Sequence, residues 1–463
     1  MLLGLSPFCR SMVTPSDRVW FLGWVTLCFQ LTACDPELAS STPDADPTPE
    51  RVPVQDEGGS PAGGDSSALS ARDSGASIPK DSGDPLLGLA ACPTDVSTPI
   101  YSTMPMKVED FHVFRPLGFI THPTWVLPTY HSNFAVAAVG QTIAEQKPVV
   151  FPAAGRVTQI RRVYFTSSGQ TGYQVDFRPC QKFLTYFNHL KKISDRLDTE
   201  LKKVLNESTD CVTKLVSGND TITTCNKDIQ IDVLEGELIG YSGDSAGVDF
   251  GAIDERLPAP AHVIPSHYNG YRNYVSPIPY FKSTVRTEFE KKLGSVFDFS
   301  VKRTATPVEG AYVQDVAGTA QGNWFSAGRF ATNPDNGGHM ALVHDYIAYD
   351  DEPIMSIGST ALTGIKGIVG IRKPVATSGT VNRDWKQITS NGLMHCFDAF
   401  TSTTMPSRGP RSTGGLGLVD PKGIILMQMT DATHLKAEWR SATTCAADTS
   451  TLQFTAAATL FER

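Results

Sequence analysis

VLEGELIGYSGDSAGVDFGAID, residues 233–254, decides the fold. Its apolar runs are short, and glycine closes them. That pattern reads as β-strand rather than helix. The same reading extends outward through LPTYHSNFAVA (127–137), VVFPAAGRVTQI (149–160), GYQVDF (172–177) and FLTYFNHLKKIS (183–194). A β-rich body over residues 91–285 is therefore expected.

Three pieces of this body form an ordered set. Pro152-Ala153-Ala154-Gly155-Arg156-Val157 has the form of a hairpin entry. Tyr186-Phe187-Asn188-His189-Leu190 carries a histidine inside a strand. Gly236-Glu237-Leu238-Ile239-Gly240-Tyr241-Ser242-Gly243 is a glycine-flanked turn and strand. Over about 120 residues their order and spacing resemble the lysostaphin/LytM-type zinc endopeptidases, which cut peptidoglycan cross-bridges. The resemblance implies a β-sheet domain with zinc held by the His and Asp of an H-x-x-x-D motif and by the second His of H-x-H. His131 occupies the first place, but Ala135 stands where Asp is required. Gly247-Val248-Asp249 stands at H-x-H, so Gly247 replaces a catalytic histidine and Asp249 replaces a ligand. His189 sits where the family keeps another catalytic histidine.

A hydrolytic zinc needs three protein ligands and an open place for water. His131 and Asp249 make two, and His189 is the only candidate third. The expected consequence is a catalytically degenerate domain with no cofactor. It would bind cell-wall glycopeptide, another polysaccharide, or an envelope protein such as a wall hydrolase. The alternative is a metal-dependent peptidoglycan-type hydrolase using zinc on an altered His131/His189/Asp249 site. These three are the candidate catalytic and metal residues, expected in one groove. Asp249-Phe250-Gly251 has no Gly-rich loop or catalytic loop beside it, which excludes a kinase reading.

The ends of the chain point to export. Arg10 and Arg18 precede an uncharged apolar run, Val19 to Leu31, and Leu31-Thr32-Ala33-Cys34 follows. This is the layout of a signal peptide, and its last four residues resemble a bacterial lipobox. The resemblance implies removal of residues 1–33 and lipidation of Cys34, with two or three acyl chains as a stable membrane anchor. Residues 34–90 are rich in Pro, Gly, Ser and acid, the composition of a disordered tether. Residues 35–90 carry eleven acids and three bases, which matches the net charge of −8 of the whole chain. The body is thus nearly neutral, with no basic excess to suggest nucleic acid. A tether of about 55 residues reaches roughly 40 Å.

Six cysteines fall in the body, an even number that reads as disulfides in an exported chain. CVTKLVSGNDTITTC predicts a hairpin turning at Gly218-Asn219-Asp220 and pairing Cys211 with Cys225. Cys92 with Cys180 and Cys396 with Cys445 are then the remaining choice, which sequence does not fix. Residues 191–232 interrupt the motif order. There Ile193, Leu197, Leu201 and Val204/Leu205 form a helical stripe, either packed on the sheet or serving as a lid or partner surface beside the groove.

A body of about 370 residues is expected to hold two domains. TEFEKKLGSVF (287–297) reads as a helical connector spanning 286–304. From 305 to 463 short strands recur: HMALVHDYI, PIMSIG, GIKGIVGIRK, GLMHCFDAF, GIILMQMT, HLKAEWR and TLQFTAAATLF. They predict an antiparallel barrel or sandwich, with a lipocalin-like ligand cup as one alternative. DVAGTAQGNWF (315–325) predicts a tight turn under a buried indole. His339 and His344 fall on opposite faces of a strand and make a poor metal pair. His395 and His434 stand alone.

Overall fold

The computed structural model describes residue 86 and residues 88–463, apart from 121–125, 138–142, 144, 218–219, 244–246, 269–272, 297, 328–336, 348–352, 372–378, 402–422, 442–443 and 447–448. Residues 1–33, expected to be a signal peptide, Cys34 and nearly all of the expected tether lie outside the described residues.

The chain is mainly β, as its patterning predicts. A first body is an antiparallel sheet of eleven strands. These are β1 (Val113–Arg115), β2 (Ser132–Ala135), β3 (Pro148–Val150), β4 (Gly155–Phe165), β5 (Gln170–Cys180), β6 (Phe183–Ile193), β7 (Cys211–Ser217), β8 (Asp220–Val233), β9 (Leu238–Ser242), β10 (Val248–Asp254) and β11 (Tyr274–Val275). The main order is β1-β2-β10-β6-β5-β4-β8-β7, with β9 joined to β3 and β6 and β11 joined to β10. Aromatic side chains fill the core under β2, β6 and β10. Phe187 stacks on Phe250 at 5.0 Å, and Phe134 on Phe250 at 5.8 Å.

Residues 191–232 form helix α1 (Asp195–Val204), the short helix α2 (Glu207–Asp210) and the β7–β8 hairpin. Ser194 caps α1 by accepting from the Leu197 amide, a standard way to satisfy a first-turn donor. Leu197 and Leu201 are buried in the sheet's core cluster, while Val204 is exposed. The stripe therefore runs from Leu197 through Leu201 to Leu205, which packs partly buried against the same cluster, while Ile193 belongs to β6 rather than to the helix. The hairpin is not a lid. β8 pairs with β4 along its length, so β7 and β8 lie at the edge of the sheet, beyond β6, β5 and β4 from β10. Length explains this: fourteen residues of β8 continue the sheet rather than fold across it.

Three disulfides close the body: Cys92–Cys180, Cys211–Cys225 and Cys396–Cys445. The second joins directly opposed residues of the β7–β8 hairpin.

Helix α3 (Ser283–Lys292) follows the sheet, beginning three residues before the 286–304 span read as a connector and overlapping its first part. The last eight strands are β12 (Gly322–Ser326), β13 (Met340–His344), β14 (Pro353–Leu362), β15 (Ile365–Ile371), β16 (His395–Thr401), β17 (Gly423–Met429), β18 (His434–Arg440) and β19 (Thr459–Glu462). Each pairs antiparallel with the next, and β12 closes on β19. Alternation assigns the faces. On β17, Ile425, Met427 and Met429 point into the lumen, while Ile424 and Leu426 point out against the Cys396–Cys445 bridge. Trp324, Trp385, Met340, Met355 and Phe397 fill the lumen with them. A packed lumen of this kind is a core, not a ligand cup.

DVAGTAQGNWF behaves as its sequence predicts. Trp324 is fully buried and its indole donates to the Ala320 carbonyl at 2.8 Å. TLQFTAAATLF does not form one strand. Only its end, Thr459–Glu462, joins the barrel. Leu452 and Phe454 instead cover the Cys396–Cys445 patch, and Glu438 holds the Thr455 amide and hydroxyl. The two bodies also share packing. Ile120, Val126 and Leu127 lie in one apolar cluster with Phe325, Val343, Ile354 and Ile368 on the barrel's outer face.

Candidate functional site

Strand register builds a polar centre on one face of the sheet. Asn133 of β2 and Asn188 of β6 both lie opposite Asp249 of β10. Opposed residues share a face. His131 immediately precedes β2 and, two residues from Asn133, takes the same face by alternation.

His189 reaches the centre by a different route. Phe187 pairs with Val175 and Leu190 with Tyr173, so Asn188 and His189 oppose the single residue Gln174. This is a β-bulge, which re-aims side chains. Its second residue, His189, has φ 61°, a left-handed conformation that costs about 1–3 kcal/mol outside glycine. The strained backbone turns the imidazole to the Asp249 side.

The result is a compact His–Asp–His group. His131 Nε2 lies 3.4 Å from Asp249 Oδ1, and His189 Nε2 lies 3.1 Å from Oδ2. Asn133 Nδ2 donates to Oδ1 at 2.9 Å. Asp249 is 5 % exposed, whereas the His189 side chain is 40 % exposed and forms the open side. Burial opposes the charge on Asp249, but the two imidazoles and the bonds from His189 and Asn133 outweigh it. Together they hold the carboxyl well below the usual carboxylate range. Burial also pushes His131 down from the ordinary imidazole range, against the pull of Asp249. The centre at neutral pH is therefore an ionised carboxylate beside a neutral His131.

Aromatic side chains wall this centre. The Phe119 and Tyr130 rings stand 5.5 and 5.9 Å from the His131 ring. Tyr186 lies 6.4 Å away. Its ring fits only because residue 251 is glycine, since a Cβ there would overlap the phenol. The buried Tyr186 hydroxyl has no hydrogen-bond partner among the described residues, and burial pushes its pKa well up. It is an unspent polar group at the edge of the site.

Zinc was the metal implied by the motif resemblance, and the donors can be tested against it. A tetrahedral site needs its ligand atoms to converge on one point at ~2.0–2.2 Å. Here the two imidazoles address opposite oxygens of one carboxylate, and Asn133 takes a further position on Oδ1. Among the described residues no group of three or more His, Cys, Asp or Glu has the arrangement of a metal site. The donors as placed do not fit, so no chemical step is routed through a metal.

The backbone at Gly247 is the most restrictive feature. Its φ is 131°, and a Cβ would overlap the Phe134 carbonyl oxygen, 2.7 Å from its carbon and 3.1 Å from Ala135 Cα. Ala135 itself is fully buried on β2. A side chain at residue 247, an imidazole included, would require β10 to move away from β2.

His131, His189 and Asp249 thus meet in one place, as the motif order predicts. Asn133 and the aromatic wall were missed. The signal for Asn133 was available, since it lies one alternation step from His131. The other singled-out histidines do not join the site. His344 Nε2 lies 2.8 Å from Asp384 Oδ2, and His339 packs edge-on against Phe325. His434 is held by Asp431 at 2.8 Å, and His395 faces the barrel lumen. No protein-family model matches this chain, and no curated protein matches it.

Proposed function

We propose that this chain is an exported envelope lipoprotein, tethered at Cys34, whose sheet body binds cell-wall glycopeptide or a related polysaccharide without cutting it. The reading rests on the ordered motifs at 152–157, 186–190 and 236–243, which resemble the lysostaphin/LytM-type domain. What supports binding over hydrolysis is above all Gly247. In the motif alignment residue 247 takes the place of a catalytic imidazole, and a Cβ there would overlap the Phe134 carbonyl oxygen. The Asp249 carboxylate is meanwhile occupied by Asn133, His131 and His189.

The remaining polar centre suits recognition. The half-exposed His189 imidazole, oriented by the ionised Asp249, stands among aromatic rings beside the buried Tyr186 hydroxyl, the usual make-up of a specific ligand site. A charged group that is buried and hydrogen-bonded gives orientation at fixed cost. The three disulfides agree with an oxidising compartment.

Sedimentation with purified sacculi tests this. The protein is expected to co-sediment. Asp249→Asn keeps the shape but removes the charge, so it should release at least half of the bound protein. Equal recovery in the supernatant with and without sacculi would remove the reading.

A further inference from the structure

We infer that the cleft between β11 and the 309–313 strap is a subsite for one uncharged, hydroxyl-bearing sugar ring. The inference deepens the proposed glycan-binding function and rests on it. The cleft is about 310 Å³, at the small end of ligand pockets, which run ~300–1,000 Å³. Leu117, Tyr274, Ser276, Tyr280, Glu309 and Tyr312 are among its walls.

The cleft is preformed. Gly310 and Gly118 both have positive φ, and a Cβ on either would overlap the other segment's backbone. Leu117 and Gly310 form a parallel bridge. The strap is thus pressed backbone to backbone onto the 117–118 segment, so ordering the walls costs a ligand little.

Its chemistry selects the occupant. The Tyr274 and Tyr312 rings meet edge to face at 6.0 Å and 86°, an aromatic corner rather than a flat wall. Ser276 is buried, and its Oγ has no hydrogen-bond partner among the described residues. An unmatched buried hydroxyl costs about 1–3 kcal/mol, which a ligand hydroxyl would recover. Glu309 supplies an acceptor at the wall, and no Lys or Arg lines the cleft. An anionic ligand would have no counter-charge there. A ring with an apolar face and hydroxyl edges meets the aromatic corner, Ser276 and Glu309 at once. Tyr274 also connects the cleft to the polar centre, since it packs on Tyr130 at 4.3 Å, and Tyr130 lies against His131.

Titration calorimetry of the purified full chain with N-acetylglucosamine tetramer is the test, with tetramethylammonium chloride as the cationic control and sacculus sedimentation in parallel. Saturable binding of the tetramer is expected, weakened at least fivefold by Ser276→Ala and by Glu309→Gln, with circular dichroism unchanged. No binding of the tetramer, binding unaffected by both variants, or binding of tetramethylammonium instead would each overturn the subsite. If sacculi are retained equally by wild type and variants while the tetramer is not bound, the subsite fails and the wall-binding reading stands. If the tetramer binds through Ser276 and Glu309 while sacculi are not retained, the subsite stands and the wall-binding reading fails.

Discussion

Gly247→Ala should destabilise the protein by about 4 kcal/mol, lowering its melting temperature by on the order of 10 °C. Two costs add. An alanine at φ 131° is strained by about 1–3 kcal/mol. Its Cβ must also push β10 away from the Phe134 carbonyl, and such overpacking typically costs another 1–3 kcal/mol. Gly236→Ala is the control. Its φ is 75°, but nothing lies within 4 Å of the new Cβ, so only the strain of about 1 kcal/mol should be seen. Thermal unfolding of both variants checks this. Equal melting temperatures would mean that β2 and β10 leave room at residue 247, and that an imidazole could stand there.

The second large effect is a loss of stability in mild acid. His395 is 2 % exposed, and by alternation it shares the lumen face of β16 with Phe397 and Ala399. Neither ring nitrogen has a hydrogen-bond partner among the described residues. Burial, with a smaller push from Arg383, moves its pKa down to about 4. In the unfolded chain the value is about 6.5. Above pH 6.5 both states leave the ring neutral. As pH falls from 6.5 to 4, the unfolded chain takes up a proton that the folded chain refuses, so stability falls with pH. At about 1.4 kcal/mol per pH unit the loss approaches 3 kcal/mol at pH 4. Below that, His395 protonates in the folded state too and its contribution stops changing. Denaturant unfolding from pH 7 to 4 should show this slope. His395→Leu should flatten it between about pH 6.5 and 5, leaving there the smaller share due to His131, which burial also lowers, and below about pH 5 the onset from carboxylates held low, Asp249 and Glu438. An unchanged slope in His395→Leu would place that ring in water.

The strands were legible where a run rich in apolar and aromatic side chains stands without an internal proline or glycine. FLTYFNHLKKIS is β6 to within a residue, and HLKAEWR is β18 at both ends. The Cys211–Cys225 pair was legible because its hairpin is local. The other two bridges span 88 and 49 residues, and only the assembled fold chooses between such pairings. Two features were out of reach. The route of β8 along β4 is a long-range pairing that no local pattern encodes, so the insertion could be misread as a lid. The bulge at Asn188-His189 depends on a register slip against β5, and without it His189 would not turn towards Asp249. Asp249 was found by motif position alone. Its neighbour Asn133 followed from β-strand period two, had that period been applied from His131. The Tyr274–Tyr312 cleft has no sequence signature, because its walls come from segments about forty residues apart.

The proposed function requires a centre that binds without cutting. Its most direct test is release of soluble muropeptides from purified sacculi incubated with the protein and added zinc. The geometry at Gly247 and the carboxylate shared by His131 and His189 predict no release above the protein-free control. Zinc-dependent release that is abolished by His131→Ala would contradict it and establish the hydrolase instead.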